Sequence, residues 1–274
     1  MNNEPLISVC IPVYNGQKYL SAVLDSIQGQ SFQDFEVVIS DDSSSDQTLQ
    51  IAREHSICAT HTVRIVRNEQ RGIGRNWNHA IRNARGKFIK LIFQDDLLHE
   101  HCLEHMLEHC VSGVSMVWCR KTLIGDVPAG RQAEEDAVYR NTAAKTTAEI
   151  FGDPQLYKHP RNPFGEPICS FFQKSMWESC QYDETLKQGL DYEHAYRMLK
   201  MGSFVFLNSA LVSFRLHNEQ TTAKNKRKVI QDQYLLPAKL LRAHFKELHL
   251  LVLLLLCQKM MTGWILFKLN KLLS

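Results

Sequence analysis

Four times in the first hundred residues a short apolar run breaks off into a polar cluster, and the segments between the runs have helical length and pattern. Residues 6–13, 35–40, 63–67 and 87–93 are β-rich and bounded by turn formers, which predicts strands. After the first run, Leu20, Val23, Leu24 and Ile27 recur at i, i+3, i+4 and i+7, the stripe of an amphipathic helix. Ser44 with Gln47 predicts a capping box for a helix reaching about His55. Further helices are predicted around residues 75–84 and 101–110. Strands separated by helix-length segments imply βαβ units, hence an α/β domain on a mainly parallel central sheet flanked by helices.

The second half is less regular. Residues 115–119, 168–173, 204–207 and 211–216 read as strands, and 192–201 as a helix ending at Gly202. After Asn218 the composition shifts: Lys224, Lys226, Arg227 and Lys228 precede a helical stretch that is very leucine-rich over 248–273. The expected division is a core over 1–220, in halves 1–110 and 111–220, and a helical C-terminal extension over 221–274. A chain of 274 residues is long enough for that. A formal net charge of +3 is too small to argue for nucleic acid. The eight cysteines show no CxxC pair and no disulfide-like spacing, which reads as reduced core thiols. Residues 1–5 carry no basic region followed by an apolar stretch, so no secretory leader is expected and the cytoplasm is the expected compartment.

The polar clusters matter most. The strands hand over to Pro12-Val13-Tyr14-Asn15, to Asp41-Asp42-Ser43-Ser44-Ser45-Asp46, to Asn68-Glu69-Gln70-Arg71-Gly72 and to Gln94-Asp95-Asp96. In an open α/β sheet, ligands bind outside the carboxyl ends of the strands, so the four clusters converge on one site. Singly, each has a plainer use: 41–46 as a turn and Asp95-Asp96 as a helix cap. Adjacent carboxylates are hard oxygen ligands suited to Mg²⁺ or Mn²⁺, which also bind phosphate oxygens. There is no GxxxxGK[ST] loop and no GxGxxG after the first strand, which argues against a P-loop NTPase and a dinucleotide oxidoreductase.

The order and spacing of these motifs resemble the family 2 glycosyltransferases, whose fold is the Rossmann-like GT-A type. The likeness runs from about Ile7 to Gln220 and takes in Gly165-Glu166-Pro167, Asp191-Tyr192-Glu193 and Phe214-Arg215-Leu216-His217. The resemblance implies an inverting transfer from a nucleotide-diphosphate sugar, a UDP-sugar in the first instance, to an acceptor hydroxyl. It implies that Pro12, Tyr14 and Asp42 hold the nucleoside, that Arg75 flanks the diphosphate, and that Asp95 faces donor sugar or ribose. Asp96 and His217 would hold Mn²⁺ or Mg²⁺, Asp191 would be the general base, and Glu166 would lie on the acceptor side. Two positions depart from the family pattern: Gln94 opens the acidic triplet, and Leu190 stands where Glu usually precedes the base.

His101, His105 and His109 share one helical face, but Leu103, Met106, Leu107 and Cys110 supply the buried face, so the histidines read as a solvated stripe. The run 248–257 is about half the length needed to span a bilayer. Trp264, Ile265, Leu266, Phe267 and Leu269 with Lys268 and Lys271 suit an interfacial helix on the cytoplasmic membrane surface, and equally a helix against the core or a partner. A lipid-linked saccharide acceptor in surface-polysaccharide synthesis fits the first of these. A catalytically silent nucleotide-sugar-binding or scaffolding protein is the alternative, favoured only by Gln94 and Leu190. A nucleotidyltransferase would need a Gly-rich basic signature after the first strand, which residues 14–18 do not supply.

Overall fold

A computed structural model describes residues 4–134, 166–186, 189–220, 256–261, 264 and 265. Eight strands form one sheet in the order β3-β2-β1-β4-β7-β6-β8-β5. The first half contains β1 (Ile7–Val13), α1 (Leu20–Gln28), β2 (Phe35–Asp41), α2 (Thr48–Glu54), α3 (Ile57–Thr60), β3 (Val63–Arg67), α4 (Ile73–Arg82), β4 (Phe88–Leu91), β5 (Leu97–Leu98) and α5 (Cys102–His109). β6 (Val114–Gly125), a 3₁₀ turn at Pro167–Cys169, β7 (Ser170–Gln173), α6 (Lys174–Ser179), α7 (Leu190–Met198) and β8 (Ser203–Leu216) follow.

β1 pairs in parallel with both β2 and β4, and β2 with β3. β7 runs against β4 and β6, β6 is parallel to β8, and β5 runs against β8. Only β5 and β7 oppose the common direction, so the mainly parallel α/β reading holds. β1 and β2 are buried along their whole length, as strands covered on both faces must be. The predicted stripe of α1 is the buried face: Leu20, Val23, Leu24 and Ile27 are all fully buried.

Several local readings change. Gln47, not Ser44, precedes α2, and no side chain caps that helix. The Ser44 hydroxyl instead accepts the Asn15 N–H at 2.9 Å. The long-range bond between two loops wins over the local cap. The two predicted strands over 204–216 are one strand with a bulge: Cys119 pairs with Leu207 and Arg120 with Ala210. The extra residues, Asn208 and Ser209, are exposed and polar, so they interrupt the apolar pattern and split one strand into two in the sequence reading. Of the C-terminal extension, only helical turns at 256–261 and 264–265 are described. Leu256 is buried in the hydrophobic core, whereas Met261, Trp264 and Ile265 are exposed. The remainder of 221–274 lies outside the described residues. Among the described residues no helix is long and apolar enough to cross a membrane. Six cysteines are buried and two, Cys58 and Cys257, exposed, all with free thiols. His101, His105 and His109 are exposed on α5.

Gly86 sits where the chain turns into β4 against β1. A Cβ there would lie 2.6 Å from the Ser8 nitrogen and 2.7 Å from the Ile7 carbonyl carbon. These are backbone atoms of a buried strand and cannot swing aside. Gly86→Ala is therefore expected to destabilise the fold by about 1 to 3 kcal/mol, as overpacking does, read as a lower midpoint in urea unfolding.

Candidate functional site

The sheet order reverses between β1, which leads outward to β2 and β3, and β4, which leads the other way. That switch point opens a crevice at the carboxyl ends of the strands, and three of the four polar clusters meet around it. The loops after β1 and β2 are laced together. The Ser45 N–H donates to Asn15 Oδ1 at 2.9 Å, the Gly16 N–H to Thr48 Oγ1 at 2.7 Å, and the Gln17 N–H to Asp46 Oδ2 at 3.1 Å. Asn15 and Ser43 take left-handed backbone angles, φ 51° and 66°, which small polar residues tolerate. Pro12 lies buried within β1, and Tyr14 beyond it is 49% exposed.

Asp42 is fixed from the third cluster. Its carboxylate accepts the Asn68 amide at 2.8 Å and the Gly72 N–H at 3.1 Å. Burial raises its pKa above the ordinary 3.8, against the pull of these donors and of Arg71. The Arg71 guanidinium lies 6.0 Å from the centre of the Tyr14 ring.

Asp95 and Asp96 follow β4 and meet residues from the end of β8. Asp96 is fully buried. Its Oδ1 accepts the Arg215 N–H at 2.9 Å, and its Oδ2 is a buried oxygen with no hydrogen-bond partner among the described residues. Burial first, then the charge of Asp95, push the Asp96 carboxyl well above the ordinary 3.8. The Arg215 N–H pulls the other way, while Glu166 adds to the rise. Glu166 also pairs with Lys121, whose side chain is almost entirely buried. His217 Nε2 lies 2.9 Å from Asp95 Oδ2, and His217 Nδ1 is buried without a partner among the described residues. The Arg215 side chain donates from Nε to the Asp95 carbonyl at 2.8 Å and lies over the Tyr19 ring.

This donor set fits a hard divalent cation. A carboxylate oxygen and an imidazole nitrogen are buried with no partner among the described residues, and both are ligand types that Mn²⁺ accepts. Asp95 against Nε2 selects the tautomer that leaves Nδ1 unprotonated, the carboxylate–histidine arrangement that orients ligating imidazoles. No trio of His, Cys, Asp or Glu among the described residues forms a cage by itself. That leaves coordination positions for substrate oxygens, the usual state of Mg²⁺-type sites that handle phosphates.

Arg75 and Asp191 stand on a second side, where α4 meets α7. Arg75 pairs with Glu184 at 3.5 Å, in reach of solvent. Asp191 occupies the first turn of α7, half-buried. Burial and then the Asp191 charge push the Tyr182 hydroxyl well above its ordinary pKa. Trp77 packs on Phe93 and edge-on to Tyr182, both at 5.1 Å, so a row of rings leads from the end of β4 towards Asp191. Leu190 is buried, and a Cβ on Gly74 would lie 2.6 Å from its Cδ2. The apolar departure before Asp191 is thus the contact that seats α7 on α4. Glu193 is bound to Arg197 by two hydrogen bonds, of 2.6 and 2.7 Å. Lys121, Glu184 and the Arg71 approach to Tyr14 were not singled out from sequence. Lys121 and Glu184 are isolated charges without a motif, and Arg71, though within the third polar cluster, reaches Tyr14 only through the fold.

Residues 8–178, more than half of the chain, match the model of glycosyl transferase family 2. Chondroitin synthase of Escherichia coli is 27% identical over 229 residues, which cover 82% of this chain and 31% of that protein. Staphylococcus aureus TarS, solved with UDP-GlcNAc, superposes with a TM-score of 0.66 at 21% identity, covering 86% of this chain and 66% of that one. A Pyrobaculum calidifontis mannosyltransferase, solved with GDP-Man and Mn²⁺, gives 0.66 at 17% identity, covering 88% and 65%. The chain therefore spans less than two thirds of the length of each of these proteins.

The buried Asp96 makes a pH prediction. Its folded-state pKa is raised, so the folded protein holds a proton that the unfolded chain has released. That contribution is complete below the ordinary value of 3.8 and is lost as pH rises through the raised one. In melts without divalent metal, wild-type stability is expected to fall relative to Asp96→Asn as pH rises from about 5 to about 8. A constant difference between the two proteins would show that the carboxyl is not held protonated.

Proposed function

The chain belongs to glycosyl transferase family 2, and from that premise we propose that it moves a sugar, with inversion, from a nucleoside diphosphate sugar to an acceptor hydroxyl. The observation that carries this reading is the buried Asp96, with one oxygen uncommitted, beside a His217 already oriented by Asp95. A UDP-sugar is the first donor to test, since TarS is solved with UDP-GlcNAc, and GDP-Man is the second. A growing or lipid-linked saccharide of a surface polysaccharide is the proposed acceptor, in keeping with the chondroitin synthase relative.

The proposed roles are these. Pro12, Tyr14 and Asp42 line the nucleoside end, and Arg75 offers a cation to the diphosphate. Asp96 and His217 hold Mn²⁺ or Mg²⁺, and Asp95 keeps the His217 ring aligned. When bound, the metal supplies Lewis-acid stabilisation of charge on the departing nucleoside diphosphate. Asp191 accepts the proton of the acceptor hydroxyl as that oxygen attacks the anomeric carbon from the face opposite the leaving group. Glu166, neutralised by Lys121, belongs to the acceptor side as a hydrogen-bond acceptor. Glu193, clasped by Arg197, is not available as a base.

A panel of UDP- and GDP-sugars, screened for nucleotide release with added Mn²⁺, tests the activity. Metal-dependent release with one donor supports it, and binding without release under every acceptor condition would indicate a silent scaffold. In the active pair, Asp191→Asn should leave donor affinity in place while transfer drops by a factor on the order of 10² or more. Transfer near the wild-type rate would move the base elsewhere.

The exposed Met261, Trp264 and Ile265, with lysines interspersed in the same segment, are proposed to dock on an anionic membrane surface. The full chain should sediment with phosphatidylserine vesicles, and Trp264→Ser with Ile265→Ser should abolish that. Equal sedimentation of both proteins would assign this face to another contact.

A further inference from the structure

We propose that Gln94 is a positioning residue for the nucleoside end of the donor, which it serves by clasping the peptide of Tyr14 across the crevice. This rests on the assignment of Tyr14 to the nucleoside. Gln94 follows β4 and Tyr14 follows β1, so the pair spans the very switch point at which the sheet opens. The Tyr14 N–H donates to Gln94 Oε1 at 2.6 Å, and Gln94 Nε2 donates to the Tyr14 carbonyl at 3.0 Å. A backbone N–H can only donate and a carbonyl only accept, so the orientation of the amide is fixed.

No carboxylate makes this pair of bonds. An ionised Asp or Glu accepts only, and would set a negative oxygen against the Tyr14 carbonyl. The departure from the acidic triplet therefore creates a contact that the acidic residue cannot. The neighbouring chain is shaped to it. A Cβ on Gly16 would lie 2.8 Å from Gln94 Oε1 and 3.0 Å from its Cβ, so the loop passes directly beneath the amide. The same device occurs once more: Asn78 accepts the Tyr182 N–H at 3.0 Å and donates to its carbonyl at 2.9 Å. That clasp is buried and joins α4 to the segment before α7. The clasp at Gln94 is exposed and has no core to hold, but it fixes the backbone from which the half-exposed Tyr14 ring projects, with Arg71 beside it.

Two variants test this. Gln94→Glu keeps size and acceptor but loses the donor; Gln94→Met keeps length and loses both. Three measurements are made on the full chain: hydrogen exchange at the Tyr14 amide without ligand, UDP affinity by calorimetry in Mn²⁺, and Mn²⁺ affinity alone. Both variants should speed exchange at Tyr14 and weaken UDP binding roughly tenfold, the scale of one or two neutral hydrogen bonds. Mn²⁺ affinity should not change. Unchanged exchange in both variants overturns the clasp. Faster exchange with unchanged UDP affinity overturns its role in positioning, as does a loss in Gln94→Glu alone, which would be an effect of charge. Mn²⁺ affinity moving more than UDP affinity would make Gln94 part of the metal site. If the wild-type chain binds neither UDP nor GDP, the donor reading itself fails, and the clasp is then judged on exchange alone.

Discussion

A carboxylate taken wholly out of water is costly to hold, and the open edge of this sheet is arranged around one. Among the described residues the Asp96 carboxylate accepts a single hydrogen bond, from the Arg215 backbone. Its burial and the adjacent Asp95 both favour the protonated form. The nearby polar groups are held one by one: Lys121 answers the charge of Glu166, His217 is hydrogen-bonded to Asp95, and the Arg215 side chain ties the Asp95 carbonyl to Tyr19. Removing Lys121 would leave the Glu166 charge unanswered, and that charge already adds to the rise at Asp96. A cation bound there, as proposed above, would both neutralise Asp96 and occupy its second oxygen.

The parts of this molecule that could be read directly from its amino acids are those governed by local rules. Periodicity found the buried face of α1, and the β-rich runs placed β3 between its observed ends. The polar clusters after the strands pointed to one edge because sheet topology forces them there. What escaped is what depends on distant partners. Ser44 looks like a helix cap until Asn15 is beside it. Asn208 and Ser209 interrupt the apolar run, because a bulge sets exposed polar residues inside a strand. Lys121 carries no local signal at all; its meaning comes from Glu166, 45 positions away.

The two departures from the family pattern teach a similar lesson. Gln94 and Leu190 look like losses when judged by charge alone. In place, each is a contact that its acidic counterpart could not make: an amide that both gives and accepts hydrogen bonds, and an apolar side chain filling the space above Gly74. A substitution in a motif is better judged by what its new chemistry touches than by what the old chemistry supplied.

The position of β8 has a consequence for how the molecule comes to exist. β1 to β4 can pair as soon as the first hundred residues have left the ribosome, because their contacts lie within that span. β5 cannot join the sheet until β8 is made, since β8 is its partner, and Asp96 has no donor until residue 215 emerges. A nascent chain therefore carries a half-built sheet, with two neighbouring acidic groups still in water, through more than a hundred further residues of synthesis. Long-range pairing of this kind is slow to form and leaves strand edges open while it waits. The centre that would grip a donor is accordingly complete only once β8 has been made, and no shortened chain ending before β8 can possess it.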